Sequence, residues 1–183
     1  MKQFWKDTIL ATIITLLLVF LLNNAHAYES IYGTPRVIDG DTIEVKGEKI
    51  RLMCVDTPES NYRKKTQYCL DNETDCGLLA KQALQNMIGT HDVWCNYSKR
   101  DVYGRILGIC REYRFIYDWA TIKENYNYML LEQGYAWYYN GGKECKKYEE
   151  AFLEAKKEGY GLFNEEFGGF KEPKLWRKTR SND

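Results

Sequence analysis

Along the first two-thirds of the chain, apolar residues alternate with polar ones in short runs separated by turn residues; later they recur with helical spacing. Thr34–Ile38, Thr42–Val45, Ile50–Val55, His91–Tyr97 and Arg105–Arg111 are predicted strands, with a tight polar hairpin turn at Lys46-Gly47-Glu48-Lys49. Leu78, Leu79, Leu84, Met87 and Ile88 follow the helical period and stop at Gly89, a residue suited to a C-terminal cap. Two further helices are expected, Glu124–Gln133 before Gly134 and Cys145–Glu158 before Gly159. The second carries an apolar stripe of Tyr148, Phe152 and Ala155.

Five strands and three helices in this order fit a five-stranded, partly open barrel of the OB type with helices packed around it. Such surfaces often bind nucleic acids or oligosaccharides, but fold alone does not give an activity. No internal repeat or low-complexity linker interrupts the chain. The segment from Lys171 to Asp183 is polar and expected to be loosely held.

The first 27 residues read as an address. Lys2 and Lys6 lead an apolar run, Thr8–Leu22, and Ala25-His26-Ala27 has the small-x-small pattern of a signal-peptide cleavage site. Spanning a bilayer as a helix needs ~20 apolar residues, more than this run offers. Cleavage after Ala27 would leave about 156 residues, 183 less 27, with one domain at 28–170 and the polar tail at 171–183. Losing Lys2, Lys6 and Asp7 from 26 basic and 26 acidic residues leaves 24 and 25. A near-neutral chain argues against a histone-like coating protein, so contact with a polyanion is expected in one cleft. The expected destination is secreted or periplasmic, and a single small domain suggests a monomer.

All six cysteines lie beyond the leader, as expected of disulfides in an exported chain. No C-x2-C pair is present and His91 is the only histidine after the leader, which argues against zinc. Six cysteines allow about 15 pairings. Spacing favours Cys69–Cys76 across a short polar loop and Cys95–Cys110 on consecutive strands, with Cys54–Cys145 left by elimination.

Three segments concentrate charge at turns and strand ends: Asp39-Gly40-Asp41-Thr42, Arg51 through Asp56-Thr57-Pro58-Glu59, and Asp101-Val102-Tyr103-Gly104-Arg105. Carboxylates and a carbonyl suit a hard cation such as calcium. Two guanidiniums can clamp a phosphate and neutralise developing charge, and a separate carboxylate can activate water. Alternation along the third strand puts Arg51, Met53 and Val55 on one face. An arginine paired structurally with Asp56 or Glu59 would also account for Arg51, and Asp-Gly-Asp is an ordinary turn sequence.

Taken together, Ile-Asp-Gly-Asp-Thr, Arg-x4-Asp-Thr-Pro-Glu and Asp-x-Tyr-Gly-Arg resemble the staphylococcal nuclease family from about Tyr32 to Phe163, with Asn127 and Gly134-Tyr135-Ala136 continuing the likeness. The resemblance implies an OB barrel with three helices and a calcium-dependent, non-specific hydrolase of DNA or RNA that leaves 3′-phosphates. It makes Asp41, Asp56 and the Thr57 carbonyl the calcium ligands, Arg51 and Arg105 the phosphate clamp, and Glu59 the general base. Tyr103 would lie beside the phosphate.

Val102 stands where the best-known family member has a phosphate-contacting lysine. The stretch Ser60–Cys76 is long and resembles a cysteine-containing loop of periplasmic relatives beside the cleft. Tyr135, Trp137, Tyr138 and Tyr139 follow the second helix, where the family places base-stacking tyrosines; Tyr138 and Tyr139 are the candidates here, with core packing as the other reading. Phe163 and Trp176 are expected to pack and anchor the tail. The rival to a nuclease is an inactive OB-fold nucleic-acid-binding module, which would be expected to lack part of the charged set.

Overall fold

A computed structural model describes residues 29–60, 65–116 and 119–180, with Lys6 and 12–16 in the leader. The proposed cleavage site therefore lies outside the described residues. Among those described, no helix is long and apolar enough to cross a membrane.

The β-branched runs form a mixed sheet. Its strands are β1 (Glu29–Gly33), β2 (Pro35–Asp39), β3 (Thr42–Val45), β4 (Glu48–Leu52), β6 (Asp92–Arg100) and β7 (Ile106–Ile116), with β8 (Trp119–Asn125) pairing β7. Along the sheet the order is β1-β6-β7-β4-β3-β2. Two short strands, β5 (Val55–Asp56) and β9 (Trp137–Tyr138), pair separately. Four helices surround these strands: α1 (Cys76–Ile88), α2 (Tyr126–Glu132), α3 (Glu149–Glu158) and α4 (Pro173–Arg180). The arrangement is compatible with an OB-type barrel plus helices, but it has more strands than the five expected.

Several differences have local causes. The expected strand Ile50–Val55 breaks at Met53-Cys54, because Cys54 adopts a left-handed conformation, φ 70°. The break turns the chain between β4 and β5, so the carboxylate of Asp56 leaves the line of Arg51. The β3–β4 turn tightens to Lys46-Gly47, both at positive φ, which matches the twist of the flanking strands. The third expected helix starts late, after a 3₁₀ turn at Lys143–Tyr148.

Ile43, Val45, Ile50 and Leu52 from the sheet bury against Leu84 and Ile88 of α1 and Leu130 and Leu131 of α2. Each such side chain contributes roughly 1.5–3 kcal/mol. Asn127, fully buried, accepts the Cys110 amide at 2.9 Å and donates to the carbonyls of Met53 at 2.8 Å and Gly108 at 3.0 Å. It closes the end of the parallel β4–β7 pair where the ladder stops. The disulfides join Cys54–Cys145, Cys69–Cys76 and Cys95–Cys110, and no cysteine is free.

The segment placed in a loose tail is helical from Pro173 to Arg180. Proline suits the first position of a helix, since its missing N–H would have no partner there. Trp176 is buried as expected of a tail anchor, and α4 thereby docks on the body of the protein.

Candidate functional site

The charged segments converge because sheet register brings them together. Thr42 pairs with Arg51 across β3–β4, and the Leu52 amide donates to the Asp41 carbonyl at 2.8 Å. Arg51 lies opposite Leu107 on the parallel strand β7, whose start is Arg105's neighbour Ile106. Gly40 allows the Asp39–Asp41 turn to close on its surroundings: a Cβ there would come within 2.7 Å of the Thr57 hydroxyl and 3.0 Å of Ala80. The glycine is thus required by close approach.

Arg51 donates to Asp41 at 2.5 Å and to Asp56 at 2.7 Å. Both carboxylates are buried, at 4% and 1% exposed, so the guanidinium compensates charges that would be costly alone. Burial opposes charge on Arg51, but Asp41 and Asp56 outweigh it and hold the group firmly protonated. The pairing with Asp56 expected of a structural arginine is present, and Arg51 nonetheless lines the cleft.

Glu59 pairs with a different cation. Arg177 of α4 donates to Glu59 at 2.6 Å and to both oxygens of Asp56, the shorter bond 2.8 Å. Positive and negative groups therefore alternate as Asp41, Arg51, Asp56, Arg177, Glu59. Burial, reinforced by the Asp41 carboxylate, pushes Glu59 from 4.5 up to about 7 despite its bond to Arg177. Burial and Asp41 also raise Asp39, against hydrogen bonds from Ser60 and the Gly40 amide.

Arg105 is held from its own loop. Asp101 accepts the Arg105 Nε at 2.7 Å and the amides of Tyr103 and Arg105 at 2.9 Å each. Burial alone would raise Asp101, yet these bonds hold it below the usual carboxylate range. With Nε engaged, the terminal amino groups of Arg105 are left for a ligand. Its guanidinium lies 5.8 Å from the Tyr103 ring.

These groups line a cleft of about 720 Å3 that includes Asp39, Asp41, Arg51, Glu59, Arg105, Tyr103 and Tyr139. Tyr103 is 82% exposed at the rim. Tyr138 does not join them: β9 directs it inward, where its ring lies 6.5 Å from Phe152 and its hydroxyl is buried without a hydrogen-bond partner. Tyr139, one position beyond β9, is half exposed and lines the cleft, so only it of the pair reaches the site.

The long loop supports the site from behind. Buried Gln67 donates its main-chain N–H to the Glu59 carbonyl at 2.9 Å and its side-chain amide to the Lys171 carbonyl at 2.7 Å. A side chain at Gly77 would collide with the main chain of Glu59 and Ser60. The loop, the main chain at Glu59–Ser60 and the lead-in to α4 are therefore locked together. Arg177 and Gln67 escaped the sequence reading because nothing local marks them; the available signal was the cationic stripe Lys174, Arg177, Lys178 beside Trp176 in a near-neutral chain.

A family model described as staphylococcal nuclease homologue matches residues 49–165. The chain is similar to the endonuclease YhcR of Bacillus subtilis, 30% identical over 154 residues, which cover 75% of this chain and 12% of that protein. An uncharacterized protein of Methanocaldococcus jannaschii, MJ1439, is 35% identical over 157 residues, covering 75% of this chain and 73% of the relative. The succinoglycan biosynthesis protein ExoI of Rhizobium meliloti is 38% identical over 96 residues, covering 50% and 48%. The chain thus spans about half of ExoI and a small part of YhcR.

Proposed function

The chain belongs to the staphylococcal nuclease homologue family, and from that premise we propose that it is an exported, calcium-dependent nuclease that hydrolyses DNA or RNA without sequence specificity. The observation that carries this reading is the cleft itself. Two guanidiniums, the carboxylate of Asp41 and a separate carboxylate with its pKa near neutrality share one open space, with buried Asp56 beneath it on Arg51 and Arg177. All six cysteines paired fits an oxidising compartment.

The donor chemistry suits calcium. Asp41 and Asp56 both reach one guanidinium, so their oxygens face a common point, and oxygen is the donor this cation takes. Among the described residues no three acidic, histidine or cysteine side chains converge as a metal cage. The Thr57 carbonyl and water oxygens would therefore complete the shell around the two carboxylates. When bound, calcium would polarise a phosphoryl oxygen.

The remaining work falls to side chains. Glu59, poised near pH 7, takes a proton from the water that attacks phosphorus. Arg51 and Arg105 neutralise the charge that grows on the phosphoryl oxygens. The bond to the 5′ oxygen breaks, leaving a 3′-phosphate, and the departing oxygen takes up a proton from solvent. Tyr103 flanks the phosphate and Tyr139 offers a ring to a base.

Incubating the oxidised protein with plasmid, single-stranded DNA and RNA tests the reading. Digestion is expected in calcium, abolished by EDTA and by Arg105→Ala, with 3′-phosphate ends on the products. Binding without cleavage in calcium and in magnesium would make the protein a nucleic-acid-binding module.

A further inference from the structure

Helix α4 contributes more to the cleft than Arg177. Lys174, Arg177 and Lys178 all line it, and their i, i+3, i+4 spacing puts them on one helical face. Burial of Pro173 and Trp176 turns that face toward the cleft. Gln67 fixes the lead-in at Lys171, and the Leu70 amide donates to Gly169 at 2.9 Å. The helix is therefore seated by the disulfide loop on one side and by its own apolar residues on the other.

The two lysines differ from Arg177 in their partners. Arg177 is committed to Asp56 and Glu59. Lys174 and Lys178 are exposed, and among the described residues neither forms an ion pair. The Lys174 ammonium stands 5.9 Å from the ring of Tyr139. Across the cleft the rim presents Tyr103, and its neighbour Val102 is 93% exposed; neither is cationic.

We infer that α4 is a substrate-binding wall in which Lys174 and Lys178 contact backbone phosphates flanking the one held by Arg51 and Arg105. The inference rests on the nuclease reading above and names where the polyanion lies. Two unpaired ammonium groups beside a guanidinium clamp suit consecutive phosphates of a strand. Their position compensates for the absence of a cation at Val102. The chain needs no general basic surface, because its substrate-facing cations are gathered on one helix and two strand ends.

The test compares wild type, Lys174→Ala/Lys178→Ala and a control, Lys146→Ala/Lys157→Ala, which removes two exposed lysines outside the cleft. Fluorescence anisotropy follows binding of a labelled single-stranded oligonucleotide in EDTA across a salt series; steady-state cleavage is followed in calcium. Each lost phosphate contact lowers the slope of log K against log salt by ~0.7 on a single strand, so the cleft variant should lose ~1.4 and bind about tenfold more weakly near 0.15 M salt. Its KM should rise correspondingly while the control matches wild type. Unchanged slope and KM in the cleft variant, with wild type binding and cutting normally, would overturn the wall and leave the nuclease standing. An equal loss in the control would overturn it too, by reducing the effect to net charge. A wild type that neither binds nor cuts would remove both the nuclease and the wall. Near-ultraviolet circular dichroism of the variants checks that α4 remains docked, since Trp176 reports on it.

Discussion

One wall of the cleft is laid down by strands and their turns, whereas the other hangs on a helix at the far end of the sequence. On the strand side, Asp41, Arg51 and Asp56 lie within sixteen positions and are aimed by hydrogen-bond register. On the helix side, Lys174, Arg177 and Lys178 arrive only because Trp176 is buried and Gln67 grips Lys171. In the proposed mechanism the strand wall holds the reacting groups, and the helix wall tunes and feeds them. Register places a side chain more tightly than docking does, so this division matches the tolerance each task allows.

Perturbing each wall should give losses of different size and kind. Glu59→Gln removes the proton acceptor and should lower kcat by ~10²–10⁴ with substrate affinity little changed. The same change has an opposite effect on stability. Because the Glu59 pKa lies above 4.5, at about 7, the folded state favours its protonated form; that stability is complete at low pH and is lost as pH rises through about 7. In EDTA at about pH 8 the Gln variant should therefore melt at a higher temperature than wild type, and a lower Tm would show that the Arg177 bond dominates.

Arg51→Lys comes next, with kcat down ~10²–10³, since a point charge cannot replace planar two-pronged contact. Near-normal turnover would make Arg51 a structural neutraliser of Asp41 and Asp56. On the helix wall, Arg177→Gln should act through Glu59. Loss of the guanidinium raises the Glu59 pKa further, so the acidic limb of the kcat/KM profile moves up, and a rise of about one pH unit would cost roughly fivefold at pH 7 and about tenfold well below it. A loss as large as that of Glu59→Gln, with no shift in the profile, would erase the difference between the walls. The smallest effect is a gain: Val102→Lys adds a cation to the strand-side rim and should tighten oligonucleotide binding about fourfold near 0.15 M salt. No gain would mean that the strand path does not pass Val102.

Much of the strand wall was legible because its determinants are local. Asp-Gly-Asp at a turn, an arginine at a strand end and Asp-Thr-Pro-Glu beyond it are read within a few residues, and the β3–β4 pairing follows from the short turn between them. The break at Cys54 was less visible, since a cysteine in the left-handed region has no local signature. Tyr138 and Tyr139 could be separated only by knowing that β9 ends at Tyr138 and packs on Phe152. The helix wall was hidden for a stronger reason. A short cationic segment has little intrinsic reason to be ordered, and what orders α4 is a buried tryptophan and an amide from a loop 104 positions away.

The ion pair between Glu59 and Arg177 spans 118 positions. During synthesis, at ~5–20 residues per second, roughly 6–24 s separate the appearance of the two partners. Over that interval Asp41, Arg51, Asp56 and Glu59 already exist, but the helix that covers them does not. A single domain folds as a unit, so the site is complete only after its last-made part, α4, has been synthesised.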